Sequence, residues 1–145
     1  MFDQIRAKTA ALNEQIAALR QEAADMIKPM LSEFIKSNPQ VKAVSWSQYT
    51  PYFNDGDPCT FSVNEPYFFF EGDDPEESDG YDTWSMSRAE YAPPAESCSP
   101  ETRQACSELA SELGSLTDAL ETLFGDHVKV IVTAEGVSVD EYSHD

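Results

Sequence analysis

Apolar residues recur at alternating steps of three and four along the first part of the chain, and residues 3–37 read as one long helix. Phe2, Ile16, Ala23 and Met30 fall on one heptad position, and Ile5, Leu12, Leu19 and Met26 fall on the other. Thr9 is the polar interruption of this seam. Asp3 suits the N-cap or first turn. Pro29 lacks a backbone donor, so a bend or break is predicted near Asp25–Met30. Leu31, Phe34 and Ile35 extend the apolar face to an Asn38-Pro39 stop. Such a seam either covers a sheet or pairs with a second copy, and Ile5, Leu12, Ile16, Leu19 and Met26 are the residues an oligomer would bury.

The period then changes to two. Val41–Thr50 alternates through Val44 and Trp46, and Cys59–Val63 resumes with Phe61 and Val63 in phase. Between them the Pro51–Pro58 segment, with its Asp55-Gly56 pair, has turn chemistry. After Glu65-Pro66, Tyr67-Phe68-Phe69-Phe70 is a third short strand whose four rings require cover on both faces. Residues 71–82 form a loop, and Trp84–Tyr91 returns as strand or short helix ahead of a stiff Ala92-Pro93-Pro94-Ala95 linker.

Ser99-Pro100 is an N-cap/N1 pair that opens a second helix. The stripe Leu109, Leu113, Leu116, Leu120 and Leu123 carries that helix to Gly125 at its C′ position. Val128, Val130 and Val132 alternate, Glu135-Gly136 turns the chain, and Val137 and Val139 return as a hairpin partner. The tail Asp140–Asp145 is expected to fray. The predicted fold is α+β: a long N-terminal helix and a C-terminal helix packed on a small antiparallel sheet, ending in a β-hairpin. At 145 residues it is read as one domain, with a helical segment at 1–38 and a body at 41–145.

Charge divides the chain at Lys42. Residues 1–42 carry six Lys/Arg against five acids, whereas residues 43–145 carry only Arg88, Arg103 and Lys129 against 22 acids, a net −19. Seven of those acids lie in residues 71–82. A body of this charge repels phosphate and anionic lipid, which argues against direct nucleic-acid or membrane-surface binding. It attracts basic protein surfaces. No apolar run reaches membrane-spanning length, and none has the form of a secretory signal. The odd set Cys59, Cys98 and Cys106, without CxxC spacing, points to free thiols and a cytoplasmic setting.

Catalytic chemistry has little support. His127 and His144 are the two histidines and stand in no metal-ligand spacing, and no GxSxG, Walker or GxGxxG sequence occurs. The acid runs do not follow a calcium-loop pattern. Neither metal nor cofactor is therefore expected, and the chain reads as a non-enzyme. Twelve of the 16 aromatics lie between Trp46 and Tyr91, more than a small sheet buries, so those beside turns become contact candidates. The candidate partner-binding set is Tyr52, Phe53, Asp55, Asp57, Asp73, Asp74, Glu76, Glu77, Asp79, Tyr81, Asp82 and Trp84.

The segment Ser45–Val63, containing Trp46-Ser47-Gln48-Tyr49-Thr50-Pro51-Tyr52-Phe53-Asn54-Asp55-Gly56-Asp57-Pro58-Cys59, resembles small acidic proteins of phage and prophage genomes. Phe124–Val130 and Glu141–Asp145 are similar to the ends of those proteins. The resemblance carries no catalytic residues. It implies a product acting inside a bacterial host; by analogy of class, small acidic phage proteins that resemble DNA in charge often occupy the DNA-binding sites of nucleases or defence factors. The resulting expectation is a protein that binds a basic host protein as a DNA mimic, with an assembly accessory oligomerising through its N-terminal helix as the alternative.

Overall fold

The computed structural model describes residues 1–52, 56 and 58–143. Helix α1 (Phe2–Ser37) leads into strand β1 (Ala43–Tyr49), followed by the short strands β2 (Ser62–Val63) and β3 (Tyr67–Phe69). Helices α2 (Thr83–Met86), α3 (Pro100–Ser115) and α4 (Thr117–Phe124) precede the hairpin β4 (Val128–Thr133) and β5 (Gly136–Glu141). All strand pairs are antiparallel, and β1 is the hub, pairing with β2, β3 and β4. This is the α+β architecture the periodicities predict.

Alternation along β1 gives the sheet two faces. Val44, Trp46 and Gln48 share the face that packs on helices, opposite Val132, Val130 and Val128 of β4. Ile27, Leu31 and Ile35 of α1, Leu109 and Leu113 of α3 and Leu120 of α4 complete that core with Phe68 and Phe70. Burying this many large apolar side chains, each contributing roughly 1.5–3 kcal/mol, is the main source of stability. It offsets the self-repulsion of the acidic body.

One polar network is buried within the core. The Trp46 indole N–H donates to Gln48 Oε1 at 3.0 Å. Gln48 Nε2 in turn donates to the carbonyls of Leu120 (2.9 Å) and Gly125 (2.8 Å). The Gly125 carbonyl lies past the last turn of α4 and has no intrahelical donor, so this strand side chain caps the helix there and adds a second bond to the Leu120 carbonyl within it.

Four features differ from the sequence reading. The leucine stripe is carried by two helices, because the chain turns at Leu116 (φ −107°, ψ 25°). Gly114 is a weak helix former, and the Ser115 hydroxyl bonds back to the Glu112 carbonyl at 2.8 Å, competing with continued helix. Pro29 does not break α1, which runs unbroken to Ser37. The carbonyl it leaves without a helical donor belongs to Asp25, an exposed residue. The strand expected over Cys59–Val63 contracts to Ser62–Val63. The tail is ordered further than expected: Asp140 and Glu141 pair with Lys129 and Val128, and Tyr142 N donates to His127 O at 2.8 Å.

Replacing Gln48 with Ala strands a buried indole N–H and the Gly125 carbonyl and removes the second bond to Leu120 O. Each unsatisfied buried group costs about 1–3 kcal/mol, so a net loss of roughly 2–4 kcal/mol is expected in urea unfolding. Wild-type stability in Gln48→Ala would refute this account of the network.

Candidate interaction surfaces

The acidic loop is built rather than loose. Tyr81 N and O exchange hydrogen bonds with Phe68 O and N at 2.9 and 2.8 Å, which fixes the far end of residues 71–80 to β3. Asp73 Oδ2 accepts from Phe70 N at 3.0 Å, and Asp74 Oδ1 accepts from Glu76 N at 2.9 Å. Asp82 Oδ1 accepts from Ser85 N at 2.7 Å and caps α2. The loop folds back over the Phe69 ring on the outer sheet face. Gly80, at φ +75°, lies so close that an added Cβ would fall 2.9 Å from that ring, so no larger residue fits there.

The candidate acids therefore divide by role. Asp73, Asp74 and Asp82 hold backbone, whereas Glu76, Glu77 and Asp79 are exposed and accept none of the hydrogen bonds that shape the loop. The loop borders an open groove of about 420 Å³ on the outer sheet face, whose lining includes Glu65, Tyr67, Asp79, Lys129 and Tyr142. Burial pushes the Tyr67 phenol above its ordinary value, and the nearby Asp82, Glu65 and Asp79 push it the same way. Tyr67 thus stays protonated, with Glu65, Asp79 and Asp82 near it and Lys129 the one basic residue in the groove lining. A concave site of that character suits a cationic side chain.

Tyr81 is half-buried and packs against Phe70, with centroids 5.9 Å apart, so most of its ring belongs to the core. Trp84 is exposed, stacks on Tyr91 at 5.6 Å and lies beneath the Arg88 guanidinium at 4.5 Å. Sequence reasoning picked out Trp84 alone. The i, i+4, i+7 spacing to Arg88 and Tyr91 was the available signal. Glu65, Tyr67 and Tyr142 were also missed: Tyr67 is legible as the outward residue of β3, whereas nothing local marks Tyr142.

Tyr52 stacks on His127 at 5.0 Å, and Tyr49 stacks on Tyr142 at 5.7 Å. Beneath them Asp126 accepts from Thr50 N (2.7 Å), Thr50 Oγ1 (2.6 Å) and His127 N (2.8 Å), tying the end of β1 to the entry of β4. The remaining candidates of this corner, Phe53, Asp55 and Asp57, lie outside the described residues.

Two of the three thiols are poorly placed for nucleophilic work, while Cys59 is exposed. Cys98 and Cys106 are buried, and burial raises both, Cys106 to about 12. Among the described residues no three His, Cys, Asp or Glu side chains gather to hold a metal ion. No helix of the described residues is long and apolar enough to cross a membrane.

The helical seam forms the second surface. Every residue from Met1 to Glu22 is exposed. Ile5, Leu12, Ile16, Leu19 and Met26 are 58%, 51%, 46%, 63% and 71% exposed. The body is reached instead through Ala24, Ile27, Leu31 and Ile35, a stripe rotated from the seam.

Comparison with protein-family models, with curated proteins and with solved structures finds no match to this chain.

Asp126 gives this corner a definite pH response. Burial acts to raise its carboxyl, but the Thr50 and His127 hydrogen bonds outweigh it and hold the carboxyl below its ordinary value. Its contribution to stability is complete above the unfolded-state value of about 4 and is lost as pH falls through the lower folded-state value. Stability measured against Asp126→Asn should hold a constant gap above about pH 5 and narrow in acid. A gap that widens in acid would contradict the assignment.

Proposed function

We propose that this chain is a non-enzymatic acidic protein that binds a basic surface of another protein. The observation that carries this reading is the grouping of Glu65, Asp79 and Asp82 around the Tyr67 groove, beside the exposed Glu76 and Glu77. Within 43–145 there are 22 acids and three bases, so most carboxylates have no cationic neighbour to be neutralised by. A concentrated field of this sign speeds encounter with a basic partner and rejects nucleic acid itself. The likeness of Ser45–Val63 to phage proteins supports a bacterial host cytoplasm as the setting and a nucleic-acid-binding site of a host nuclease or defence factor as the basic surface. Exposed Trp84, Tyr91 and Tyr52 supply contact area that charge alone lacks.

A second reading, an assembly accessory, is favoured by one specific observation: the heptad seam of α1 is exposed. The two readings are compatible, since they use different surfaces.

Capture of a basic protein from bacterial lysate by the tagged chain, undiminished by nuclease, is the expected result. Its association rate should fall about tenfold or more as salt is raised. Glu76→Gln, Glu77→Gln and Asp79→Asn together should slow association while leaving the unfolding midpoint within about 0.5 kcal/mol, because these acids do not hold the loop. Unchanged capture and unchanged salt dependence would reduce the acids to a solubility feature. A mobility-shift titration at low salt is expected to retain neither duplex nor single-stranded DNA, and retention at micromolar protein would overturn the charge argument.

A further inference from the structure

The exposed seam of α1 also specifies how two copies meet, and we infer that they pair antiparallel, with Phe2 against Met26 and Ile5 against Ala23 of a second copy. This deepens the assembly reading and rests on it.

The outermost large apolar residues exposed on the seam are Phe2 and Met26. Only one antiparallel register covers both and everything between. It stacks Phe2 on Met26, Ile5 on Ala23, Thr9 on Leu19 and Leu12 on Ile16, each twice, so every layer joins one heptad position to the other. One flank agrees with it. Lys8 and Glu22 both precede a first-position seam residue, and this register brings them side by side across the interface. Parallel pairing sets Lys8 beside Asn13 and Gln15 beside Arg20, with no ion pair.

The body supplies two more arguments. An open groove of about 380 Å³ lies where the seam meets the α3–α4 corner, lined by Ile16, Leu19 and Ala23 on α1 and by Leu116 and Ala119 on the other side. Small Ala23 leaves room there, and the register delivers Ile5 and Leu12 of the second copy to that level. Arg20 at this corner contacts Asp118 at 3.7 Å, and Glu112 and Glu121 are exposed nearby in sequence. Arg6 of the second copy arrives beside Arg20 on this side, a like-charge pair next to Asp118, which already contacts Arg20. Parallel pairing would also bring two bodies of net −19 to one end of the dimer. The antiparallel arrangement separates them along a helix overlap of roughly 36 Å, several screening lengths at physiological salt.

The test uses the full chain with Cys59→Ser, leaving the buried Cys98 and Cys106 in place. Light scattering is expected to report twice the 16.1 kDa chain mass. Leu12→Glu with Leu19→Glu should return it to one chain with the body folded, since neither residue packs in the core. A monomeric wild type would overturn both the assembly reading and this register. Chains carrying Ile5→Cys and Ala23→Cys, mixed and mildly oxidised, are expected to form the mixed disulfide in preference to either homodisulfide. A dimer that instead yields the 5–5 homodisulfide would overturn the antiparallel register while leaving assembly intact. Lys8→Glu should weaken the dimer at least several-fold and Lys8→Glu with Glu22→Lys should restore it, whereas no response to either would count against the pairing.

Discussion

The side-chain amide of Gln48 is the constraint on which the rest of the fold depends. It lies fully buried on the hub strand, and all of its hydrogen-bonding capacity toward the protein is directed: one oxygen to Trp46, both amide hydrogens to the end of α4. Apolar packing has little directional preference, so the helices of a small core can slide over a sheet at low cost. A satisfied polar group removes that freedom. With α4 fixed against β1, Asp126 and Thr50 set the entry of β4, and the hairpin follows in register. Outer-face features then fall into place, because β1 also carries β3 and therefore the loop after it.

That loop resolves a conflict inherent in a chain with so many acids. Carboxylates repel one another, yet several must be brought close if they are to act together. Asp73, Asp74 and Asp82 are spent on backbone N–H groups, which disperses their charge into the turn itself. Glu76, Glu77 and Asp79 are left facing outward on a frame that their neighbours keep rigid. Preorganisation of this kind lowers the ordering cost a partner would otherwise meet.

Much of this architecture was legible in the sequence because the patterns were long. Ten or more residues of 3.6 or period-two alternation identified α1, β1 and the hairpin, and the Ser99-Pro100 pair marked the start of α3 to the residue. Short-range competition was harder to see. The break at Leu116 depends on a serine hydroxyl bonding its own helix, and the short β2 depends on what β1 offers as a partner. Assigning site residues failed for a different reason: composition identifies that acids are abundant but not which of them hold backbone. Trp84 and Tyr81 were candidates on equal terms, yet Trp84 is exposed whereas Tyr81, three residues away, has its ring committed to Phe70. Groove residues such as Glu65 and Tyr142 are far apart in sequence and meet only through pairings around β1.

The rotation between the docked and exposed stripes of α1 has a further consequence. Its C-terminal half is held by the body, so a helical nucleus is always present, and the costly first turn never has to form unaided. Beyond Ala23 the helix must sustain itself on alanine-rich composition, and a stretch of about twenty residues in water is only marginally able to do so. A helix anchored at one end frays most readily from its free tip, and packing against the seam opposes that fraying. On the pairing proposed above, helix content in this segment and occupancy of the seam would be a single equilibrium, and the far-ultraviolet signal would follow the concentration of the chain.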